Sequence, residues 1–229
     1  MNAVTVTILT DDRSKTINLI FDRLGEMKKF LGILVLIFTL QTPSLADDIR
    51  DFQIEGMSIG DSLLLYKTKQ EINESMKTDY PSSKLYNRFT IRSINSTSLK
   101  DYDDVQVHFK TEDKNFVIVS VTGGIYNSNE FDKCLKKKEL VIKEISTVVP
   151  NTRINDGGIS PWLDADSSGK TITSTYYFNF GSKKYNDFVE IGCYDWNQEL
   201  TDKNGWTDHL KVGLHTKEFN QWLSEEAFK

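Results

Sequence analysis

The sequence contains few of the residues from which catalytic and metal-binding motifs are usually built. Only three histidines and two cysteines occur among its 229 residues. There is no His-x-x-x-His or Cys-x-x-Cys pair, although such pairs supply the ligands of many zinc sites. We therefore expect no zinc site and no cofactor, and we identify no catalytic residue from the sequence.

A run of apolar residues long enough to cross a membrane is also lacking. The longest run, residues 30–40, has eleven residues, whereas a spanning helix needs about 20. Met27-Lys-Lys precedes this run, and a short segment ending in Ser-Leu-Ala46 follows it. This order is typical of a secretory signal peptide, which we assign to residues 27–46 with cleavage after Ala46.

The signal peptide is not at the beginning of the chain, because residues 1–26 precede it. We interpret these residues as a mis-called N-terminal extension, with Met27 as the initiator; an extended basic region of the signal is the alternative. The mature chain then comprises residues 47–229, is periplasmic or secreted, and contains no transmembrane segment.

The two cysteines and the charge balance both concern this exported part. Cys134 and Cys193 form an even pair in an oxidising compartment, which favours one disulfide over two separately buried thiols. The mature part carries 23 basic and 29 acidic residues, a net charge of −6. This charge argues against a nucleic-acid partner. It leaves a protein, a peptide, a glycan or a small organic solute.

Hydrophobic periodicity predicts an α+β fold. The predicted elements are helices at residues 59–66 and 69–77, strands at 86–94, 105–110 and 116–121, a helix at 129–148 capped by Asn127 and Ser128, strands at 171–180, 188–196 and 206–214, and a C-terminal helix capped by Thr216. Because loops joining successive strands are too short for parallel crossovers, the sheet is predicted to be antiparallel. Residues 151–170 are predicted to be irregular.

The resulting order, α-α-β-β-β-α-β-β-β-α, suggests a repeat of two units. Residues 130–135 and 218–223 align at an offset of 88, and the Glu, Phe and Leu positions are identical. We therefore expect a first unit of helices and sheet at residues 47–150 and a second unit of sheet and helix at residues 151–229.

Asp164-Ala-Asp166-Ser-Ser168-Gly matches the opening of a calcium-binding EF-hand loop. Position 12 of that loop would be Thr175 instead of the bidentate glutamate, and the following segment is predicted to be a strand. Asp, Ser and Gly are also common in plain turns. We therefore retain Asp164, Asp166 and Ser168 only as a weak calcium candidate beside a polar turn.

Aromatic residues are concentrated in the second half of the chain. Trp162, Tyr176, Tyr194, Trp196 and Trp206 all lie there, some of them near predicted strand ends. Core packing accounts for many aromatic residues, but Trp and Tyr also dominate binding hot spots. We select Trp196, Trp206, Tyr176 and His209 as candidate binding residues.

Three stretches carry a resemblance to known proteins: residues 47–64, the helix that contains Cys134, and Cys193-Tyr-Asp-Trp196. Together they resemble a family of uncharacterised exported proteins of marine alphaproteobacteria, over most of the mature chain. More distantly, Ile54-Glu-Gly-Met-Ser58 followed by a helix is similar to the start of BamE/SmpA-type modules, and the element order resembles β-lactamase-inhibitor-like folds. The first resemblance implies export, and none of them supplies a function.

These features predict an exported, non-catalytic binding or protein-interaction module. The alternative is a small periplasmic hydrolase-type enzyme whose polar groups converge only in the folded chain. A closed cleft that holds His209 or His215 with an acid and a hydroxyl would favour the enzyme. An open sheet face edged by aromatic residues would favour the binding module.

Overall fold

The computed structural model describes residues 6–8, 46–78, 80–93, 99–126 and 130–229, which are organised around one seven-stranded antiparallel sheet. The strands are β1 (Val6–Ile8), β2 (Phe52–Ile54), β3 (Tyr86–Arg92), β4 (Asp104–Lys110), β5 (Ser120–Tyr126), β6 (Arg153–Pro161), β7 (Ile172–Phe180), β8 (Asp187–Asp195) and β9 (His209–His215). The helices are α1 (Lys69–Ser75), α2 (Phe131–Ser146), α3 (Gln198–Asn204) and α4 (Lys217–Glu225). The large sheet has the order β3-β4-β5-β9-β8-β7-β6, and β1 pairs with β2 separately. The predicted α+β fold with an antiparallel sheet is confirmed.

Helix α2 covers one face of the sheet with the apolar stripe expected from its periodicity. Alternate residues of the central strands point towards it and form the main core, among them Val107, Val121, Ile191 and Val212. Lys138 also lies on the buried stripe of the helix, where its ammonium donates to Ser174 Oγ at 2.6 Å. The helix therefore carries one cation into the core together with its apolar residues.

A disulfide joins α2 to β8, so the predicted bond between Cys134 and Cys193 is confirmed. The two Cα atoms are 5.9 Å apart, and both side chains are buried. Cys193 alternates with Val189 and Ile191 on the strand, which directs its sulfur to the core face. The bond fixes the helix against the middle of the sheet.

Helix α4 packs on the opposite face and covers only one end of it. Phe219 and Trp222 lie against the ring of Tyr86, with centroid distances of 5.3 and 4.7 Å. Thr216 caps the helix as predicted, because its hydroxyl accepts from Phe219 N–H at 3.3 Å. Because α4 has only nine residues, it is too short to cover the rest of this face.

The order of elements differs from the prediction at several places. The segment predicted to be irregular contains β6, an edge strand whose residues are all exposed and whose bulge lies between Asp156 and Gly158. Its Asn, Asp and Gly residues suggest a turn, but pairing with β7 holds them in a strand. Helix α3 was not predicted, and the helix predicted at residues 59–66 is only a 3-10 turn at Leu63–Leu65. The two-unit repeat stays a prediction, and the helices α2 and α4 lie on opposite faces of one shared sheet.

Gly123 and Gly124, predicted to follow a strand, lie inside β5. A Cβ atom on Gly123 would lie 2.2 Å from Tyr102 Cδ1, and one on Gly124 would lie 2.5 Å from Asp104 Oδ1. The two glycines thus make room for neighbouring side chains that lie across the strand. The strand continues to Tyr126, whereas the predicted caps Asn127 and Ser128 lie outside the described residues. Helix α2 follows Glu130, which makes no capping hydrogen bond through its side chain.

Strands from both predicted units pair directly, since β5 and β9 are hydrogen-bonded neighbours in the sheet. The boundary predicted near residue 150 therefore does not separate two sheets. At the other end of the fold, Ala46 N–H donates to Val148 O at 2.9 Å. The predicted signal peptide lies outside the described residues except for Ala46. In the part of the chain that the structure describes, no helix is long and apolar enough to span a membrane.

Candidate functional site

A groove of about 430 Å³ opens on the sheet face that α4 leaves uncovered. Its floor follows from the strand register: Arg92, Asp104, Gly124 and Lys211 lie side by side on β3, β4, β5 and β9. Since Gly124 has no side chain, the row is depressed at its middle, whereas the long side chains of Arg92 and Lys211 rise from the sheet at its two ends. Hereafter this space is called the groove.

Five rings form a continuous wall at one side of the groove, and we call them the aromatic wall. Its members are Trp162, Tyr194, Trp196, Trp206 and His209. Neighbouring centroids are 4.5–5.5 Å apart along the chain of contacts from Trp206 through Trp196, Trp162 and Tyr194 to His209. Trp206, at the end of the wall, is 40% exposed, and Trp162 and Trp196 are half-buried. Three of the four tryptophans of the chain are thus gathered at one site.

Short-range backbone contacts hold the tryptophans in place. The carboxylate of Asp208 accepts from Trp196 N–H at 2.8 Å, and Trp162 N–H donates to Thr171 O at 2.9 Å. Helix α3 ends at Gly205, whose φ of +69° is a left-handed conformation that favours glycine. Trp206 follows this residue directly. The position of the exposed tryptophan therefore depends on a helix that hydrophobic periodicity did not predict.

Cations line the groove in excess over carboxylates. Among the described residues, those that line the groove include Lys77, Arg88, Arg92 and Lys211 but only one acid, Asp104. Tyr126 OH donates to Asp104 Oδ2 at 2.9 Å, and burial, followed by this carboxylate, raises the pKa of the tyrosine. The negative net charge of the chain therefore does not describe this surface.

His209 lines the groove, and one nitrogen of its ring is bound to the backbone. Its Nδ1 lies 2.7 Å from Thr207 O, which requires the proton to be on Nδ1. Burial lowers the pKa of His209, so the ring is neutral at pH 7 and Nε2 is an acceptor. The ring stacks on Tyr194, with 4.9 Å between centroids and 11° between planes. His209 thus contributes a flat surface and one hydrogen-bond acceptor.

A buried carboxylate, Glu190, fixes Lys211 from below. Its Oε2 lies 2.7 Å from Lys211 Nζ and 3.3 Å from His215 Nε2, and its Oε1 accepts from Tyr194 OH at 2.5 Å. Burial by itself would raise the pKa of Glu190, but Lys211 and His215 hold that pKa below its usual range. The ionised Glu190 thus holds the side chains of Lys211 and Tyr194 in place on the same face of the sheet.

The same carboxylate belongs to a Ser-His-Glu arrangement. Ser120 Oγ lies 2.9 Å from His215 Nδ1, and Glu190 lies on the other side of the ring. However, Ser120 is 0% exposed, and His215 is stacked between Phe188 and Phe219 of α4. A nucleophilic serine must reach its substrate. Here the hydroxyl is covered, so these contacts stabilise the packing of α4 on the sheet.

A second serine stands in a pattern associated with hydrolases. Gly56-Met-Ser58-Ile-Gly60 has the Gly-x-Ser-x-Gly spacing of a nucleophile elbow, which lies between a strand and a helix. Ser58 is buried, its hydroxyl donates to Phe52 O at 2.9 Å, and its N–H donates to Asp61 Oδ2. The hydrogen bonds of the three histidine rings go instead to Tyr80, Ser120 and Thr207. Ser58 therefore bridges backbone segments.

The candidate calcium loop is held together by Asp166. Its Oδ1 accepts from the N–H and hydroxyl of Ser168, and its Oδ2 accepts from both groups of Thr171. These hydrogen bonds, the Ser168 hydroxyl first, hold the pKa of Asp166 below its usual range. Among the described residues, no group of three or more His, Cys, Asp or Glu is placed to hold a metal ion. The geometry is that of a turn, in which the oxygens of Asp166 already accept four hydrogen bonds.

The structure brings together three of the four candidate binding residues. Trp196, Trp206 and His209 all line the groove. Tyr176 does not, because it alternates with Phe178 on the opposite face and packs against the main core. Arg92 and Lys211 were not selected from the sequence. Alternation along β9 places Lys211 on the same face as His209, but the register that puts Arg92 of β3 in the same row as Lys211 is a tertiary feature.

Comparison of the chain with protein-family models, with curated proteins and with solved structures found no match. The function therefore has to be argued from the groove itself.

Proposed function

We propose that the protein is an exported, non-catalytic binding module whose ligand lies in the groove. The observation that carries this proposal is the exposure of Trp206 at the end of a five-ring wall, beside an excess of cations. Large aromatic side chains left partly exposed around a concave surface are typical of ligand sites. The open sheet face edged by tryptophans is the arrangement expected of a binding module.

Export is part of this proposal, and it is supported by two independent features. One is the predicted signal peptide at residues 27–46, and the other is the disulfide between Cys134 and Cys193. Disulfides persist mainly in oxidising compartments. A periplasmic or secreted location fits both features.

The hydrolase-type enzyme is the second candidate function, because Ser120, His215 and Glu190 lie in contact. Complete burial of Ser120 argues against it, as does the stacking of Phe219 on His215. The binding module therefore accounts better for the exposed residues.

Replacement of Trp206 by Ala tests the binding function. The variant should lose binding to any ligand found by screening the protein on arrays of glycans and peptides. Its contact with Trp196, at 4.5 Å, is worth about 1 kcal/mol, so it should still fold. Leu65→Ala, at a residue that is 72% exposed and does not line the groove, is the matched control. Binding that survives in Trp206→Ala, or an unfolded variant, would contradict the role given to this tryptophan.

A further inference from the structure

We propose that the ligand of the groove is an acidic oligosaccharide, with sugar rings on the aromatic wall and carboxylates on the cations. This inference rests on the proposed binding function and adds the chemical class of the ligand. It follows from the angles between the tryptophan rings, from the strands on which the cations lie and from the neutral polar groups that also line the groove.

The tryptophans form a tilted platform. The planes of Trp196 and Trp206 make an angle of 45°, and those of Trp162 and Trp196 make an angle of 40°. These pairs leave no parallel slot of the kind that would sandwich a flat base, and the nearly parallel rings of Tyr194 and Trp196, with centroids 6.1 Å apart, are too close to admit one. The electron-rich face of an indole attracts the weakly positive C–H groups on the face of a sugar ring. A puckered ring therefore fits this platform better than a planar one.

The cations are spread along the groove. Arg92 on β3 and Lys211 on β9 occupy one register row and are separated by β4 and β5. Three strand spacings amount to about 14 Å. A single phosphate needs donors that converge on one point, whereas cations that arise from strands so far apart match acidic groups on different sugars of an oligosaccharide.

The local charge stays positive when the carboxylates are counted. Four cations and one carboxylate, Asp104, line the groove, and the buried Glu190 pairs with Lys211; counted together, these six groups include two cations more than carboxylates. Asp104, in the middle of the floor, would repel a dense polyphosphate. A ligand with one negative charge per sugar is compatible with both features.

Uncharged polar groups also line the groove. They are well suited to hydroxyl groups, which both donate and accept hydrogen bonds. These residues are Gln106, Thr122, Tyr126, Asn204 and Thr207. A ligand rich in hydroxyls, with a few carboxylates, would satisfy the whole lining.

The test uses the disulfide-bonded protein and uronate oligosaccharides of four types: galacturonate, mannuronate, guluronate and glucuronate, each three to six sugars long. Titration calorimetry and tryptophan fluorescence should show binding of at least one of them. Methyl esterification of its carboxylates, which keeps the rings and removes the charge, should weaken binding roughly tenfold or more. Added salt should also weaken it, because the interaction is ionic.

Two charge variants provide the matched comparison. Arg92→Gln should weaken binding of the acidic form by a similar factor and leave the esterified form unchanged. Lys136→Gln removes an exposed cation from α2, which packs on the opposite face, and should change neither. Thermal melting of both variants would show whether the fold is kept.

The outcomes separate the ligand class from the binding function. Equal binding of the acidic and esterified forms, or binding of neutral cello-oligosaccharides alone, would show that the ligand is not acidic. The proposed binding function would still stand if Trp206→Ala abolished that binding. Binding of adenosine monophosphate in place of every sugar overturns the oligosaccharide. If the protein binds none of the four uronates, the inference of an acidic oligosaccharide is wrong. If the glycan and peptide arrays are also negative, the proposed binding function is wrong too.

Discussion

At the scale of single residues, the face of the sheet on which α4 packs buries several polar side chains, namely His108, Ser120, Glu190 and His215. His108 is buried beneath α4, with its Nε2 2.8 Å from Tyr80 OH and its ring 4.7 Å from that of Phe219. Burial lowers the pKa of His108 well below its usual value, and the nearby charges of His215, Arg88 and Lys211 lower it further. Alternation along β4 indicates which face of the sheet His108 takes, but it does not indicate what covers that face.

This burial predicts a loss of stability in acid. Below the unfolded-state pKa of about 6.5, the unfolded chain binds a proton at His108 that the folded chain does not, so the free energy of unfolding falls as the pH falls. The contribution of one such histidine is at most about 1.4 kcal/mol per pH unit. Urea unfolding of His108→Gln between pH 6.5 and 5.0 should show a smaller slope than that of the wild type.

Glu144 provides the control, since its raised pKa changes the pH dependence of stability in the opposite direction. Burial raises the pKa of Glu144 to about 7, so the folded state keeps a proton that the unfolded state has lost above about pH 4.5. This contribution to stability is lost as the pH rises through 7. Glu144→Gln should therefore steepen the decline in acid. An unchanged slope in His108→Gln would show that this histidine titrates alike in both states.

At the scale of elements, patterns of burial predicted best those parts that pack against the core. The 3.6-residue period indicated α2, and strict alternation indicated β4 and β8. Strand β6 and helix α3 were missed because neither has a buried residue of its own that would set a period. Their conformations come from pairing with β7 and from the cap that Asn197 provides through its side chain.

The bond between α2 and β8 should contribute strongly to stability. It links residues 59 positions apart, and the chain-entropy model assigns a loop of this size about 4 kcal/mol. Cys134→Ala/Cys193→Ala should lower the free energy of unfolding by about that amount, measured with urea at pH 7. Titration of the exported wild-type protein, denatured without reductant, should detect no thiol. Two free thiols would refute the bond, and Ser146→Ala on the exposed end of α2 is a suitable control.

At the scale of the whole molecule, the net charge and the local charge have opposite signs. The chain carries −5, yet the described groove is lined by four cations and one carboxylate. A long polyanion would be repelled by the surrounding surface, whereas a short one could enter. Net charge is therefore a guide to solubility and to large partners, and it does not describe a site of this size.

The beginning of the mature protein is a further prediction at this scale. When the gene is expressed from Met27, the exported protein should begin at Asp47, since the segment ending in Ala46 has the features of a signal-peptide cleavage site. Mass spectrometry of the exported protein measures this directly. A chain that begins at Asp47 lacks β1, so Phe52–Ile54 would lose the partner that Val6–Ile8 provides. An intact Met1 in the exported product would refute both the start site and the cleavage.

The sequence by itself determined the α+β composition, the antiparallel sheet, the core-facing helix α2 and the pairing of Cys134 with Cys193. Each of these depends on local periodicity, on the length of the loops or on the number of cysteines. The tertiary structure alone decided the groove, because its lining residues come from three distant parts of the chain, represented by Arg92, by Trp162, and by Trp206 with Lys211. Strand register and a left-handed glycine bring them together, and a one-residue change of register would move Lys211 to the other face. Tyr176 shows the same dependence, since its place in the pleat directs it to the core and away from the groove.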